Sequence, residues 1–222
     1  MPINIYYMIY NIIFKLKKYI QVTKPGISRA QVLTVSIGYF LAIQTIQFDL
    51  TYWMLVFGSY FFSSSAAVCN NIYERSLDLK MDRTKDRVLA AKKITVKEAL
   101  SIAIICFVLA TYFLINVNGL TWIIGFITFI TYVFVYTPLK QITWMNTFVG
   151  AVPGSLPLLG GWAASGMPFH LAGISLMLTL FCWQIPHFYA LSIMYFDDYA
   201  KADFKMLPIF DNEFKATKRQ II

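Results

Sequence analysis

The feature that most constrains this chain is a series of long apolar stretches that carry almost no charge. A helix that crosses a lipid bilayer needs about 20 apolar residues. Six stretches approach that length, and we expect spans at Ile27–Thr45, Thr51–Tyr73, Thr95–Ile115, Leu120–Thr137, Thr147–Ala164 and His170–Met194. Pro138 is expected to end the fourth span, because proline interrupts helical hydrogen bonding. The sequence therefore predicts an all-α, polytopic transmembrane helix bundle.

Composition and the placement of charge support this interpretation. Hydrophobic residues make up 58% of the chain and charged residues only 14%, whereas a soluble domain is about 25% charged. The net charge of +8 is not a sign of nucleic-acid binding, because all 19 lysines and arginines fall on one side of the predicted topology. Basic residues concentrate on the cytoplasmic side of membrane proteins. We therefore expect the N-terminus and the basic loops in the cytoplasm, and no nucleic-acid partner.

The N-terminal segment is apolar over Ile5–Phe14 and then basic at Lys15, Lys17 and Lys18. A secretory signal peptide has its basic residues before its apolar segment, which is the opposite order. An amphipathic helix on the membrane surface accounts better for the pattern.

Three oxygen-bearing side chains, Asn70, Glu74 and Asp78, follow one another at intervals of four residues at the end of the second span. On a helix they form one stripe roughly 12 Å long. Proteins commonly hold Mg²⁺ by one or two carboxylates together with the phosphates of a substrate. Several basic residues follow the stripe, including Arg83 and Arg87. The pattern suits a metal-bound polyphosphate, but an ordinary solvated loop also explains it.

A second acidic patch, Asp197, Asp198 and Asp203, follows the sixth span on the same predicted side of the membrane. Together the two patches are suited to hold a metal–diphosphate between them. If the sixth helix continues past its span, His187, Tyr195 and Asp198 share one of its faces. A polar residue inside a membrane bundle is costly and often functional, although His187 also suits a hydrogen bond to a neighbouring helix.

Five stretches of the chain resemble the protohaem IX farnesyltransferases (haem O synthases) of the UbiA prenyltransferase superfamily. They are TKPGI from Thr23, NNIYERSLDLKMDRTKDRVL from Asn70, YTPLKQITWMNTFVGAVPGSLPLLGGWAA from Tyr136, WQIPHFYALSI from Trp183 and DDYAKADFKMLP from Asp197. The resemblance implies a UbiA-like helix bundle that transfers a farnesyl group from farnesyl diphosphate to a vinyl group of protohaem IX, with Mg²⁺ as cofactor and with addition of water.

The resemblance also implies a role for individual residues. The first Asp-rich motif and the second acidic motif would bind Mg²⁺–diphosphate through Asn70, Glu74, Asp78 and Asp198. Phosphate binding would fall to Arg83, Arg87 and Lys140, and acceptor binding to His187. Tyr195, on the helix face that His187 and Asp198 would share, is a further candidate for substrate binding.

The chain departs from the family pattern at three places. Glu74 stands where the family usually has Asp, and Asp203 stands where it usually has Gly. Residues Phe214–Ile222 lead into a further helix, so we expect residues 1–222 to form a single prenyltransferase domain that lacks three C-terminal helices.

Two other functions stay open at this point. One is prenyl transfer to an aromatic quinone precursor, and the other is a non-enzymatic membrane protein, such as a small transporter or an inactive remnant. The haem interpretation implies a bacterial inner-membrane location, with the lipid bilayer, farnesyl diphosphate and protohaem IX as partners. It also implies association with later haem A synthesis or oxidase assembly.

Overall fold

A computed structural model describes residues 5–167, 170–211 and 214–221. These residues form helices, with no strand among them. The helices are α1 (Ile5–Val22), α2 (Pro25–Ile43), α3 (Leu50–Asp78), α4 (Val96–Val117), α5 (Gly119–Leu139), α6 (Asn146–Ala164), α7 (Leu171–Met194), α8 (Phe196–Lys201), α9 (Leu207–Phe210) and α10 (Lys215–Ile221). Ile222 lies outside the described residues, and the absence of three C-terminal helices stays a prediction.

All six predicted spans are helical, which confirms the helix bundle. Within the described ranges, α2, α4, α5 and α7 are long and apolar enough to cross a membrane by length and composition. The other two, α3 and α6, are largely buried among the other helices: α3 packs on α2 and α4, and α6 packs on α2, α5 and α7. Serine and asparagine are buried in α3, and glycine in α6. These residues lower the hydropathy of the two central helices.

Polar side chains at the helix starts explain where α3 and α4 begin. Asp49 accepts a hydrogen bond of 2.8 Å from the backbone N–H of Tyr52 and so caps α3. Thr95 and Glu98 form a reciprocal capping box at the start of α4. Such caps satisfy N–H groups that have no partner inside the helix.

The expectation that Pro138 ends the fourth span is wrong. Residues Thr131–Tyr136 form a π-helical segment, and the helix continues through Thr137–Leu139. In the π-helical segment the N–H of Thr137 bonds to the carbonyl of Tyr132, five residues earlier. The wider turn makes room for the proline ring, which would clash with the preceding turn of a regular α-helix.

Helices α2 and α6 approach each other at backbone contact. A Cβ atom built on Gly38 would lie 2.0 Å from the carbonyl oxygen of Leu158, and one built on Gly161 would lie 2.0 Å from that of Val35. Small residues allow this close approach between membrane helices. The contact sets the spacing between two helices that line the central cavity.

His187 and Asp198 can share a helix face only if the sixth predicted span continues to Asp198, and it does not. Helix α7 stops at Met194, and Tyr195 has φ −113° and ψ 36°, outside the helical region. Asp198 therefore belongs to the separate helix α8, and it does not continue the face of α7. The sixth span ends at Met194 as predicted, and the condition for a shared face is not met because the chain turns at Tyr195.

Several connections between the helices meet at one end of the bundle. The N–H of Lys205 donates to the carbonyl oxygen of Lys140 at 2.6 Å, and the side-chain amide of Asn146 donates to the carbonyl of Lys205 at 2.8 Å. A small apolar cluster joins the end of α3 to the segment after α8 through Leu77, Met81, Ala202, Phe204 and Met206. Elements far apart in the sequence therefore form one connected layer at this end.

Helix α1 contacts α3 and α4, and Lys15 forms an ion pair of 2.8 Å with Glu98. Large apolar side chains on the rest of α1, such as Ile12, Phe14 and Leu16, are exposed. Its position on the membrane surface stays a prediction.

Candidate functional site

A cavity of about 600 Å³ lies inside the bundle. Its walls include residues of α2, α3, α4, α5, α6 and α7, together with Tyr199 of α8 and Phe204 after it. Some of its lining side chains are apolar, such as Val35, Leu55, Phe62, Leu114 and Phe129. Others carry charge or an amide, and these are Lys24, Gln31, Asn70, Glu74, Arg83, Arg87, Lys140 and Gln184. The cavity thus combines a polar part with an apolar part.

The stripe predicted on α3 is present, and its members are almost fully buried: Asn70 is 1% exposed, Glu74 4% and Asp78 1%. Each of the three has a basic partner from a different part of the chain. The contacts are Lys24 Nζ to Asn70 Oδ1 at 2.7 Å, Lys140 Nζ to Glu74 Oε1 at 2.8 Å, and Arg87 Nη1 to Asp78 Oδ1 at 2.7 Å. The predicted metal-binding stripe is therefore a row of three polar pairs.

The orientation of Asn70 is fixed from both ends of its amide. Its oxygen accepts from Lys24, and its nitrogen donates to Thr137 Oγ1 at 3.2 Å. The Thr137 hydroxyl in turn donates to the carbonyl of Tyr132 at 2.8 Å. The amide oxygen of Asn70 consequently faces the cations.

The two lysines respond to this environment in opposite directions. Lys24 is half-buried; burial, together with the positive charge of Arg87, lowers the pKa of its amine to about 7. Burial alone would also lower the pKa of Lys140, but the carboxylate of Glu74 outweighs this effect and raises it above its ordinary value. Lys140 is thus held as an ammonium ion.

Asp198 contacts the loop after the α3 stripe through hydrogen bonds to its backbone. Its two carboxylate oxygens accept hydrogen bonds from the N–H groups of Asp82, at 2.7 Å, and Arg83, at 3.1 Å. Lys201 adds an ion pair of 2.6 Å to the Asp82 side chain. The structure thus connects Asp198 to the loop that follows the stripe, but neither Asp78 nor Asp198 is among the residues that line the cavity. The joint binding of a metal–diphosphate by the two acidic patches stays a prediction.

The other two carboxylates of the second patch, Asp197 and Asp203, are exposed. Asp203 adopts φ 57°, the left-handed region that favours glycine. This conformation explains why a glycine would suit the position.

The remaining predicted residues divide into two groups. Arg83 and His187 line the cavity, and the His187 ring stacks on Trp183 with 4.9 Å between centroids. Tyr195 does not line it, but its ring lies beneath the Arg83 guanidinium at 4.5 Å. Tyr195 therefore supports Arg83 from outside the cavity.

The stripe offers the oxygen atoms that Mg²⁺ prefers, an amide and two carboxylates on one wall. In the part of the chain that the structure describes, no group of three or more His, Cys, Asp or Glu residues is arranged to hold a metal ion. The carboxylates of Glu74 and Asp78 are instead occupied by Lys140 and Arg87. The metal-ligand assignment of Asn70, Glu74, Asp78 and Asp198 stays a prediction.

Lys24 is a site residue that the sequence alone did not reveal. It lies in the TKPGI stretch, which contains no acidic or amide side chain that would mark a polar site. Its backbone has φ 50° and ψ 62° immediately before α2. The contact with Asn70 spans 46 positions of sequence, which no local pattern predicts.

Comparison with known proteins decides the family. The model of the UbiA prenyltransferase family matches residues 32–222. The chain belongs to the UbiA prenyltransferase family. Its family membership and its four long apolar helices in the described residues together show that it is an integral membrane protein.

Individual relatives agree with this membership. The chain is 36% identical over 217 residues to a protoheme IX farnesyltransferase of Solibacter usitatus, with 93% of this chain and 74% of the relative covered. It is 40% identical over 188 residues to a protoheme IX farnesyltransferase of Christiangramia forsetii, with 85% of this chain and 62% of that relative covered.

Solved structures support the fold. A UbiA homologue from Archaeoglobus fulgidus bound to GPP and Mg²⁺ has a TM-score of 0.78 at 18% identity, with 91% of this chain and 72% of that chain covered. A structure of digeranylgeranylglyceryl phosphate synthase has a TM-score of 0.77 at 19% identity, with 93% and 72% covered.

Proposed function

We propose that this UbiA-family chain transfers a farnesyl group from farnesyl diphosphate to a vinyl group of protohaem IX, with Mg²⁺ assisting the departure of diphosphate. The observation that carries the proposal is the cavity, whose lining combines the Glu74–Lys140 ion pair and the basic side chains of Lys24, Arg83 and Arg87 with many apolar side chains. A prenyl diphosphate likewise combines a charged end with an apolar chain. The names of the relatives from Solibacter usitatus and Christiangramia forsetii support farnesyl as the group and protohaem as the acceptor.

The basic residues would bind the diphosphate. Arg87 and Lys140 already lie within 2.8 Å of carboxylate oxygens, so their charged ends are directed toward the stripe. Arg83 and Lys24 line the same cavity and contact uncharged partners, the Tyr195 ring and Asn70. Guanidinium and ammonium groups form strong, charge-assisted hydrogen bonds with phosphate oxygens.

The oxygen donors of Asn70, Glu74 and Asp78 would hold the metal, and the Mg²⁺-bound homologue from Archaeoglobus fulgidus supports a divalent ion in this family. When bound, Mg²⁺ would neutralise the negative charge that develops on diphosphate as the allylic C–O bond breaks. Asp198 would assist by holding the backbone at Asp82 and Arg83.

The apolar part of the cavity would hold the farnesyl chain and exclude water from it. Apolar side chains of α2, α3, α4 and α5 supply this surface, including Val35, Phe62, Leu114 and Phe129. Excluding water delays its attack on an allylic cation. Tyr136 lines the same cavity, and Lys140 Nζ lies 4.6 Å from the centroid of its ring. Aromatic rings stabilise positive charge close to their faces.

The reaction breaks one C–O bond and forms one C–C bond and one new C–O bond. The allylic C–O bond breaks with its electron pair leaving on the diphosphate, and the vinyl π electrons form the new C–C bond. Water then supplies a hydroxyl group to the remaining vinyl carbon and releases a proton. His187 and Trp183 form an aromatic wall of the cavity on α7, suited to the flat acceptor.

We further propose that the protein lies in a bacterial inner membrane with the site at the cytoplasmic face. The one-sided distribution of its 19 basic residues supports this orientation. Association with later haem A synthesis or oxidase assembly stays a prediction, as does a single domain that lacks C-terminal helices.

The test is incubation of membranes containing the chain with haem, farnesyl diphosphate and Mg²⁺, followed by mass spectrometry of the haem fraction. We expect a hydroxyethylfarnesyl haem, and we expect Asp78→Asn to lose it. Asp82→Asn removes the same charge from an exposed side chain whose partners Lys85 and Lys201 are also exposed, and it should retain the product. A product that forms from a quinone precursor but not from haem would replace the proposed acceptor. No prenylated product with either acceptor would refute the proposal.

A further inference from the structure

We propose that Glu74 and Asp78 make the site specific for metal-loaded diphosphate. Their ion pairs with Lys140 and Arg87 oppose the binding of diphosphate that carries no metal ion. This inference rests on the proposed diphosphate site and concerns the selectivity of that site. The pairs are direct: Lys140 Nζ lies 2.8 Å from Glu74 Oε1, and Arg87 Nη1 lies 2.7 Å from Asp78 Oδ1.

Burial gives these two pairs their strength. The side chains of Glu74 and Asp78 are 5% and 1% exposed, and Lys140 is 14% exposed. Exposed ion pairs contribute little, whereas breaking a buried pair by removing one partner leaves an uncompensated charge. A metal-free diphosphate that recruits Lys140 and Arg87 would strand two buried carboxylates and add its own negative charge beside them. The pairs therefore oppose the binding of a bare anion.

A metal-loaded diphosphate has no such penalty. The carboxylates of Glu74 and Asp78 gain a cation when they release Lys140 and Arg87, and the two basic groups gain phosphate oxygens. Each charged group exchanges one partner of opposite charge for another. Every charged group therefore still has a partner of opposite charge after binding. This holds only when the diphosphate and the metal ion bind together.

The stripe also contains one pair without a carboxylate, Lys24 with Asn70. Lys24 contacts the uncharged amide of Asn70, so it can turn to an anion without stranding a carboxylate. Selectivity is therefore assigned to the two carboxylates and not to the whole stripe.

The test compares the binding of inorganic diphosphate by calorimetry in detergent, with excess Mg²⁺ and with EDTA. The variants are Glu74→Gln and Asp78→Asn, which keep side-chain shape and remove charge. In EDTA each should bind diphosphate about tenfold or more tightly than the unchanged chain, because its basic partner is free for a charge-assisted bond. In Mg²⁺ each should bind more weakly than the unchanged chain.

Two controls separate this effect from general electrostatics and from misfolding. Asp82→Asn makes the same change in net charge, but its partners Lys201 and Lys85 are exposed and do not line the cavity. It should leave diphosphate binding unchanged under both conditions. Adding Lys140→Gln to Glu74→Gln should abolish the gain in EDTA, and circular dichroism reports whether each variant is folded. Since Glu74 and Asp78 have different partners, either variant alone tests the idea.

If Glu74→Gln and Asp78→Asn bind diphosphate in EDTA no more tightly than the unchanged chain, the inference is wrong. It is also wrong if Asp82→Asn tightens binding equally. Either result, obtained with normal binding of Mg²⁺–diphosphate by the unchanged chain, leaves the proposed function standing. Failure of the unchanged chain to bind diphosphate with Mg²⁺ would refute the proposed site itself.

Discussion

Replacement of Gly161 by alanine tests the backbone contact that sets the spacing between α2 and α6. The new Cβ atom would lie 2.0 Å from the carbonyl oxygen of Val35 and 3.0 Å from the backbone nitrogen of Tyr39. Both are main-chain atoms of α2, so no side chain can rotate away to make room. Restoring a contact of 3.0 Å to the Val35 oxygen requires a shift of roughly 1 Å between the helices.

The size of the effect follows from two opposing contributions. Alanine in place of glycine ordinarily favours a helix interior by about 1 kcal/mol. Overpacking typically costs about 1–3 kcal/mol, and a clash between main chains belongs at the upper end of that range. We therefore expect Gly161→Ala to lower the free energy of unfolding by about 2 kcal/mol.

The adjacent glycine provides a matched control. A Cβ atom on Gly160 would meet Ile124 Cγ2 at 3.4 Å, an ordinary contact. Gly160→Ala should therefore be neutral or stabilising by up to about 1 kcal/mol. Unfolding in detergent followed by circular dichroism measures both variants. Equal stability of the two would refute the argument that backbone contact at Gly161 holds α2 and α6 together.

Two further predictions concern the polar end of the bundle. Asp198→Ala should speed hydrogen exchange at the amides of Asp82 and Arg83, which lose acceptors at 2.7 and 3.1 Å, whereas Asp197→Ala should leave these amides protected. Equal protection in both variants would exclude the proposed support of this loop. Asp203→Gly should be neutral or raise the free energy of unfolding by up to about 1 kcal/mol, and Asp203→Ala should lower it by about 1 kcal/mol, because only glycine adopts φ 57° without cost. Thermal unfolding measures the difference, and the reverse order of stabilities would contradict this reasoning.

The helix bundle could be predicted because its determinants are local. Apolar length defines the spans, and a spacing of four residues places Asn70, Glu74 and Asp78 on one helical stripe. Both predictions agree with the structure, in which the stripe occupies the end of α3. Local reasoning was wrong at Pro138, where a π-helical segment accommodates the ring. The sixth span ends at Met194 as predicted, but the turn at Tyr195 that separates α7 from α8 had no signal in the spacing.

The partners of the stripe could not be predicted in the same way. Lys24 and Lys140 reach α3 from connections that are 46 and 66 positions away in sequence. Which basic residue meets which acid depends on the packing of α2 and α5 against α3, and no local spacing encodes it. Asp198 is similar, since its partners are N–H groups 115 and 116 positions away.

Both burial and an excess of positive charge at the cavity act on the Lys24 amine. Four cationic side chains line it, Lys24, Arg83, Arg87 and Lys140, while the carboxylates of Glu74 and Asp78 neutralise only the last two. Burial, followed by the positive charge of Arg87, lowers the pKa of Lys24 to about 7. A bound diphosphate reverses the sign of this effect, because each phosphate oxygen favours the ammonium form. The excess of positive charge that is unfavourable in the free protein therefore becomes favourable once an anion of several charges is bound.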